Sequence, residues 1–214
     1  MENISYCRYR TTPGGWTGDQ FISQGIVKAI KGEPFRGYRQ ISVGGYIRNL
    51  QAGNQTLAIN WFAERVVEET DFDDGLYSLV PIPDRNKTPT ATHVSRTLLL
   101  AQALVARLPQ QFDIWDHLRF RRPMIEKTRN ENLLYTNMIC TSDRPPAGFV
   151  ILLDDVCTTG SHVLAARRRL RECGAQDICS MSVARTMSVT DEQVFGFRED
   201  TVHSTPTIIF KRPS

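Results

Sequence analysis

Apolar residues fall along this chain in two patterns, helical spacing in some stretches and short unbroken runs in others. In residues 19–30, Phe21, Ile22, Ile26, Val27 and Ile30 share one face at helical spacing. Asp19 is a candidate cap, and Gly32 and Pro34 end that segment. Residues 54–69 repeat the pattern with Leu57, Trp61, Phe62, Val66 and Val67 turned inward. Residues 90–108 carry a broad apolar face from Val94 to Leu108, with Thr90 or Thr92 as cap and Pro109 beyond the end. The runs at 77–80, 149–153 and 177–184 predict buried strands, the first barred from continuing by Pro81 and Pro83. Residues 112–119 alternate and predict another core strand. Ile41 to Ile47 reads as one short strand, or two with a turn, and residues 207–210 as an edge strand. Residues 1–17, with Gly14, Gly15 and Trp16, read as an extended lead-in or hairpin.

Buried strands interleaved with amphipathic helices predict an α/β fold with a parallel sheet flanked by helices. The run DFDDG at 71–75 breaks the pattern. It places a soft boundary between an N-terminal hood, 1–75, and a core with a C-terminal extension, 76–214. Between 120 and 146 lies a long polar connection, a length that points to function or disorder.

Composition narrows this picture only a little. A chain of 214 residues suits one large domain or a core with an appendage, and 41% apolar content is enough for a core. Lys plus Arg number 26 against 23 acidic residues, a net charge of +3 that neither demands nor excludes nucleic acid. No apolar stretch nears the roughly 18 residues of a membrane span, and MENISYCRYR has no apolar signal region. The five cysteines are odd in number, with no CxxC pair and no zinc spacing that includes His. Reduced thiols in a cytoplasmic protein are the expectation.

The chemistry concentrates in residues 149–175, FVILLDDVCTTGSHVLAARRRLRECGA. An apolar strand, Phe149 to Leu153, runs into Asp154 and Asp155. A small turn, Thr158-Thr159-Gly160-Ser161, then opens a helix that ends near Cys173, with Gly174 at the stop position. In open α/β sheets, ligands lie at the carboxyl ends of strands. A helix start offers free N–H groups and the positive end of the dipole, suited to a phosphate. Paired carboxylates suit sugar hydroxyls or a hydrated Mg2+. Each piece alone is an ordinary βα feature; together they can hold a phosphate and a diol.

In this order and spacing, VILLDDVCTTGSH resembles the phosphoribosyl pyrophosphate (PRPP) motif of the type I phosphoribosyltransferases. The resemblance implies that Asp154 and Asp155 face the ribose hydroxyls, directly or through Mg2+ and water. It implies that Thr158, Thr159, Gly160, Ser161 and His162 wrap the 5′-phosphate. His162 departs from the usual Thr, which removes a hydroxyl: either a protonated imidazole compensates by charge, or the pocket is weakened or reshaped. Val80-Pro81-Ile82-Pro83 is similar to the strand end of the ComF-like branch. That likeness makes Asp84, Arg85 and Lys87 a pyrophosphate loop. Arg129-Asn130-Glu131-Asn132 with Tyr135 is also ComF-like. It makes the connection a mobile flap, with Arg121, Lys127 and Arg129 as its cations. The zinc ribbon frequent in that branch is missing, and residues 1–75 match no nucleobase-specific pattern.

Two functions stay open. One is transfer of ribose 5-phosphate from PRPP with release of pyrophosphate, with Mg2+ as cofactor and PRPP or a nucleoside monophosphate as ligand. The other is a non-catalytic sensor of PRPP or nucleotides, or a ComF-like accessory protein in DNA uptake or nucleic-acid metabolism. Arg167, Arg168, Arg169 and Arg171 read as the solvated face of a helix, with a nucleic-acid or protein partner as the alternative. A homodimer stays open, no membrane is implied, and His93 reads as a solvated side chain.

Overall fold

The computed structural model describes residues 1–10, 16–124, 128–187, 193–202 and 209–210. A mostly parallel sheet of seven strands organises them in the order β11-β10-β1-β9-β8-β4-β5. The strands are β1 (Glu2–Arg10), β4 (Tyr77–Pro81), β5 (Phe112–Ile114), β8 (Phe149–Cys157), β9 (Ile178–Met187), β10 (Arg198–Thr201) and β11 (Ile209–Phe210). From β1 to β5 neighbouring strands run parallel, while β10 and β11 add an antiparallel edge.

The alternation along β8 shows why helices cover both faces. Ile151 and Leu153 belong to one apolar core, with residues of α1 (Gly18–Lys31), α2 (Gln55–Glu69) and α3 (Arg96–Val105). Val150 and Leu152 belong to the other, with residues of α4 (Glu131–Asn137) and α5 (Ser161–Glu172). Successive side chains of a strand point to opposite faces, so an unbroken apolar run requires cover on both.

Several expectations need correction. Residues 1–75 are not a separate hood, because β1 lies inside the sheet between β9 and β10. Tyr6, Ile26 and Phe62 share one apolar core with Leu79 and Ile151. Only the hairpin β2 (Arg39–Val43) and β3 (Tyr46–Leu50) forms its own two-stranded sheet within that region. The first helix is capped by Thr17 and not Asp19, through a reciprocal box with Gln20. The helix expected at 90–108 starts only at Arg96, where the Ser95 hydroxyl accepts from the Leu98 amide. Thr88 and His93 are held instead by the loop after β4, through Asn86, Lys87 and Asp84. The strand expected at 112–119 divides into β5 and β6 (Leu118–Phe120), and β6 leaves the main sheet to pair with β7 (Met138–Cys140). The long connection therefore contains a helix and a strand. Cys140 and Cys173 form a disulfide, contrary to the expectation of reduced thiols throughout. The β6–β7 hairpin folds back over α5 and brings them together. No helix among the described residues is long and apolar enough to cross a membrane.

Candidate functional site

Strands β4 and β8 are parallel neighbours, with Pro81 opposite Leu153, so their carboxyl ends open side by side. The Ile82 amide donates to the Leu153 carbonyl and keeps the two exits together. Between them lies a cavity of about 590 Å³. Its walls include Asp84, Arg85, Arg96, Arg129, Asp154, Asp155 and the turn from Thr158 to His162.

Strand β8 continues past its apolar run, so both aspartates are strand residues. The Asp155 amide donates to Asp154 Oδ1 at 2.9 Å, and the Val156 amide to Asp155 Oδ1 at 2.8 Å. Asp155 Oδ2 is buried and makes no hydrogen bond, although Arg96 Nε stands 3.0 Å away. Burial, then the neighbouring Asp155 charge, pushes the Asp154 carboxyl well above its ordinary 3.8. Two carboxylates in one dry corner do not both ionise easily.

The turn after β8 is built from contacts on three sides. Gly160 has φ of 77°, a left-handed backbone that favours glycine. A Cβ at that position would collide with Val202 Cγ1. Thr158 Oγ1 meets Thr186 Oγ1 at 3.0 Å, and Arg185 Nη2 donates to the Thr158 carbonyl at 3.4 Å. Arg185 is fully buried, with Nη1 3.0 Å from Cys157 Sγ and Nε 3.8 Å from Asp200 Oδ2. Ser161 Oγ donates to the Arg129 carbonyl at 2.6 Å and lies 2.9 Å from Thr159 Oγ1. The helix has no side-chain cap. The amides of Thr159, Gly160 and His162 have no bonding partner among the described residues. Uncapped amides at a helix start are what an anion requires.

His162 lines the same cavity. Burial pushes its imidazole below the ordinary 6.5, opposed by the Asp155 charge and reinforced by Arg85. Burial therefore works against an imidazolium at this position, while the Asp155 charge favours one.

The other expected cations separate. Asp84 and Arg85 line the cavity. Lys87 does not; it is buried, donating from Nζ to the His93 carbonyl at 2.9 Å, with Asp116 Oδ2 3.7 Å away. Arg129 lines the cavity, whereas Arg121 is exposed and outside it. Lys127 lies outside the described residues. Sequence reasoning missed Lys31, Arg96 and Thr97, which also line the cavity, and passed over His93, whose Nε2 is 3.0 Å from both Asp84 oxygens. Ser95 as cap was the available signal: it puts Arg96 in the first turn of α3, at the ligand edge of the sheet. The arginines of α5 are not merely solvated. Arg168 and Arg169 stack over the Tyr135 ring at 3.8 and 4.4 Å, and Arg169 also pairs with Glu172.

No family model matches the chain, and no curated protein does. Among solved structures, the chain is similar to a purine phosphoribosyltransferase from Pyrococcus horikoshii Ot3. That match has 18% identity and a TM-score of 0.33 over 61% of this chain and 82% of that one. It is similar to an adenine phosphoribosyltransferase from Thermoanaerobacter pseudethanolicus, with 14% identity and a TM-score of 0.38 over 69% of this chain and 95% of that one. A further adenine phosphoribosyltransferase matches with 14% identity and a TM-score of 0.40, over 80% of this chain and 91% of that one.

Proposed function

We propose that the protein binds PRPP in this cavity and transfers its ribose 5-phosphate to an acceptor, releasing pyrophosphate. One observation carries the reading. The two aspartates and the uncapped turn 158–162 share a cavity with Arg85, Arg96 and Arg129. A pentose carrying phosphate at one end and pyrophosphate at the other has that sequence of charges.

The amides of Thr159, Gly160 and His162 would take the 5′-phosphate. Asp154 and Asp155 would accept hydrogen bonds from the ribose hydroxyls. As the bond from C1 to pyrophosphate breaks, positive charge grows on the sugar and negative charge on the leaving group. The aspartates favour the first and the arginines the second, so the site acts by position and electrostatics. Mg2+ fits the donor set only in part. Asp155 Oδ2 is a buried oxygen without a hydrogen bond. No group of three or more His, Cys, Asp or Glu side chains suited to a metal occurs among the described residues. Mg2+ keeps several waters and uses substrate phosphates, so Asp154 and Asp155 would hold it with the substrate's help. Bound there, it would neutralise phosphate charge.

The ComF-like segments and an acceptor belonging to nucleotide metabolism are part of the same proposal. The sensor reading has one observation in its favour: the Ser161 hydroxyl is already committed to the Arg129 carbonyl. Calorimetry with PRPP and Mg2+, then pyrophosphate release with a panel of nucleobases, separates the two. Binding with turnover, both lost in Asp155→Asn, is the expected result. Binding without turnover selects the sensor, and no binding overturns both.

A further inference from the structure

His93 lines the cavity and has no part in the transfer chemistry described above. It precedes α3 and lines the cavity with Asp84, Arg85 and Arg96. Its ring is held by Asp84, whose two oxygens are each 3.0 Å from Nε2. Its backbone is held by Lys87, whose Nζ donates to the His93 carbonyl at 2.9 Å. Lys87 is itself buried and faces Asp116 at 3.7 Å. The His93 side chain itself is 41% exposed, so its ring is oriented by Asp84 and still open to solvent. Asp84 accepts from Nε2–H, so Nδ1 is the nitrogen left for a ligand. In the same cavity Asp155 pairs with Arg96 at 3.0 Å, and Arg129 also lines the wall. His93 thus shares the cavity wall with Arg85 and Arg96 and is tied to the loop that carries Arg85 through Asp84.

We propose that His93 is the proton donor to the departing pyrophosphate, with Asp84 and Lys87 as positioning residues. The inference rests on the transfer reading above. When the C1–O bond breaks, its electron pair stays on the pyrophosphate oxygen. Nδ1–H of the imidazolium gives its proton to that oxygen, and the ring becomes neutral. Solvent reprotonates it after pyrophosphate leaves. Asp84 keeps the ring oriented throughout, the arrangement general acid catalysis uses.

The test is the pH profile of pyrophosphate release from PRPP, with the nucleobase panel, for wild type, His93→Gln, His93→Gly and Asp84→Asn. His93→Gln is expected to lose about 10²-fold in kcat, with KM for PRPP little changed and the basic limb of the profile gone. Added imidazole is expected to restore rate to His93→Gly. Asp84→Asn is expected to lower kcat while keeping the limb. An unchanged basic limb in His93→Gln, or no imidazole rescue with kcat and KM shifted together, overturns the role and leaves the transfer reading intact. For a protein that binds PRPP without turnover, calorimetry with Mg2+ and pyrophosphate in two buffers of different ionisation enthalpy reads proton uptake. Uptake that persists in His93→Gln also overturns it. A wild type that binds no PRPP overturns the transfer reading and this inference together.

Discussion

The Asp154 carboxyl holds its proton more tightly than an ordinary aspartate does. Burial and the Asp155 charge raise its carboxyl above the ordinary 3.8. The folded protein then binds this proton more tightly than the unfolded chain does. Stability from this group is present below the unfolded value and is lost as pH rises through the raised folded one. Urea unfolding between pH 4 and 8 is expected to show Asp154→Asn gaining on the wild type as pH increases; parallel curves would remove the effect. At Gly160 the constraint is steric. A left-handed backbone disfavours other residues by about 1–2 kcal/mol, and crowding Val202 adds about 1–3 kcal/mol. Gly160→Ala is expected to melt lower, and Val202→Ala in the same chain to restore only the crowding part. These residues were legible because they are contiguous: DDVCTTGSH carries its own geometry in a strand end and a helix start. Arg96 and His93 were not, because each acquires its meaning from a carboxylate, Asp155 or Asp84, placed by folding. Lys87 was misread for the same reason, since nothing in the sequence shows that its ammonium turns inward to a carbonyl.

Elements with long periodic patterns were read well and short ones poorly. Helix α2 and strands β4 and β9 lie close to their expected bounds. Helix α4 has only 7 residues, too few for a period to show, and its signal is the Asn130 side chain accepting from Leu133. The hairpin of β6 and β7 carries 3 residues in each strand. What fixes this region is contact with α5, including the Cys140–Cys173 bond across a separation of 33 residues. A loop of that size corresponds to about 3–4 kcal/mol in the chain-entropy account. Thiol counting in denaturant without reductant is expected to find three reactive cysteines, Cys7, Cys157 and Cys179. Reduction is expected to release two more and lower the melting temperature. Five reactive thiols before reduction would show that β7 and α5 are held by packing alone.

At the scale of the molecule, the boundary at 71–75 failed because sheet order does not follow chain order. DFDDG does break the local pattern, yet β1 crosses back to lie between β9 and β10. Its register with β9 runs from Asn3 opposite Ser180 to Arg10 opposite Met187. Polar contacts bind it there as well: Asn3 Oδ1 accepts from Ser180, and Arg8 pairs with Asp200 at 3.1 Å, both buried. The fragment 76–214 would lose Ile26, Val27 and Phe62 from the core that covers one sheet face. It would also leave Asp200 with Arg185 at 3.8 Å but without Arg8. Whole domains are stable by only about 5–15 kcal/mol, and fully burying one large apolar side chain contributes about 1.5–3 kcal/mol, so a sheet face stripped of several such partners is a large loss. The fragment is expected to show no cooperative melt and poor amide dispersion, and co-expression with 1–75 to restore both. A fragment that melts cooperatively alone and binds PRPP would return the first seventy-five residues to the status of an appendage. The turn at 158–162 would then have to hold its shape on a β9 no longer paired with β1.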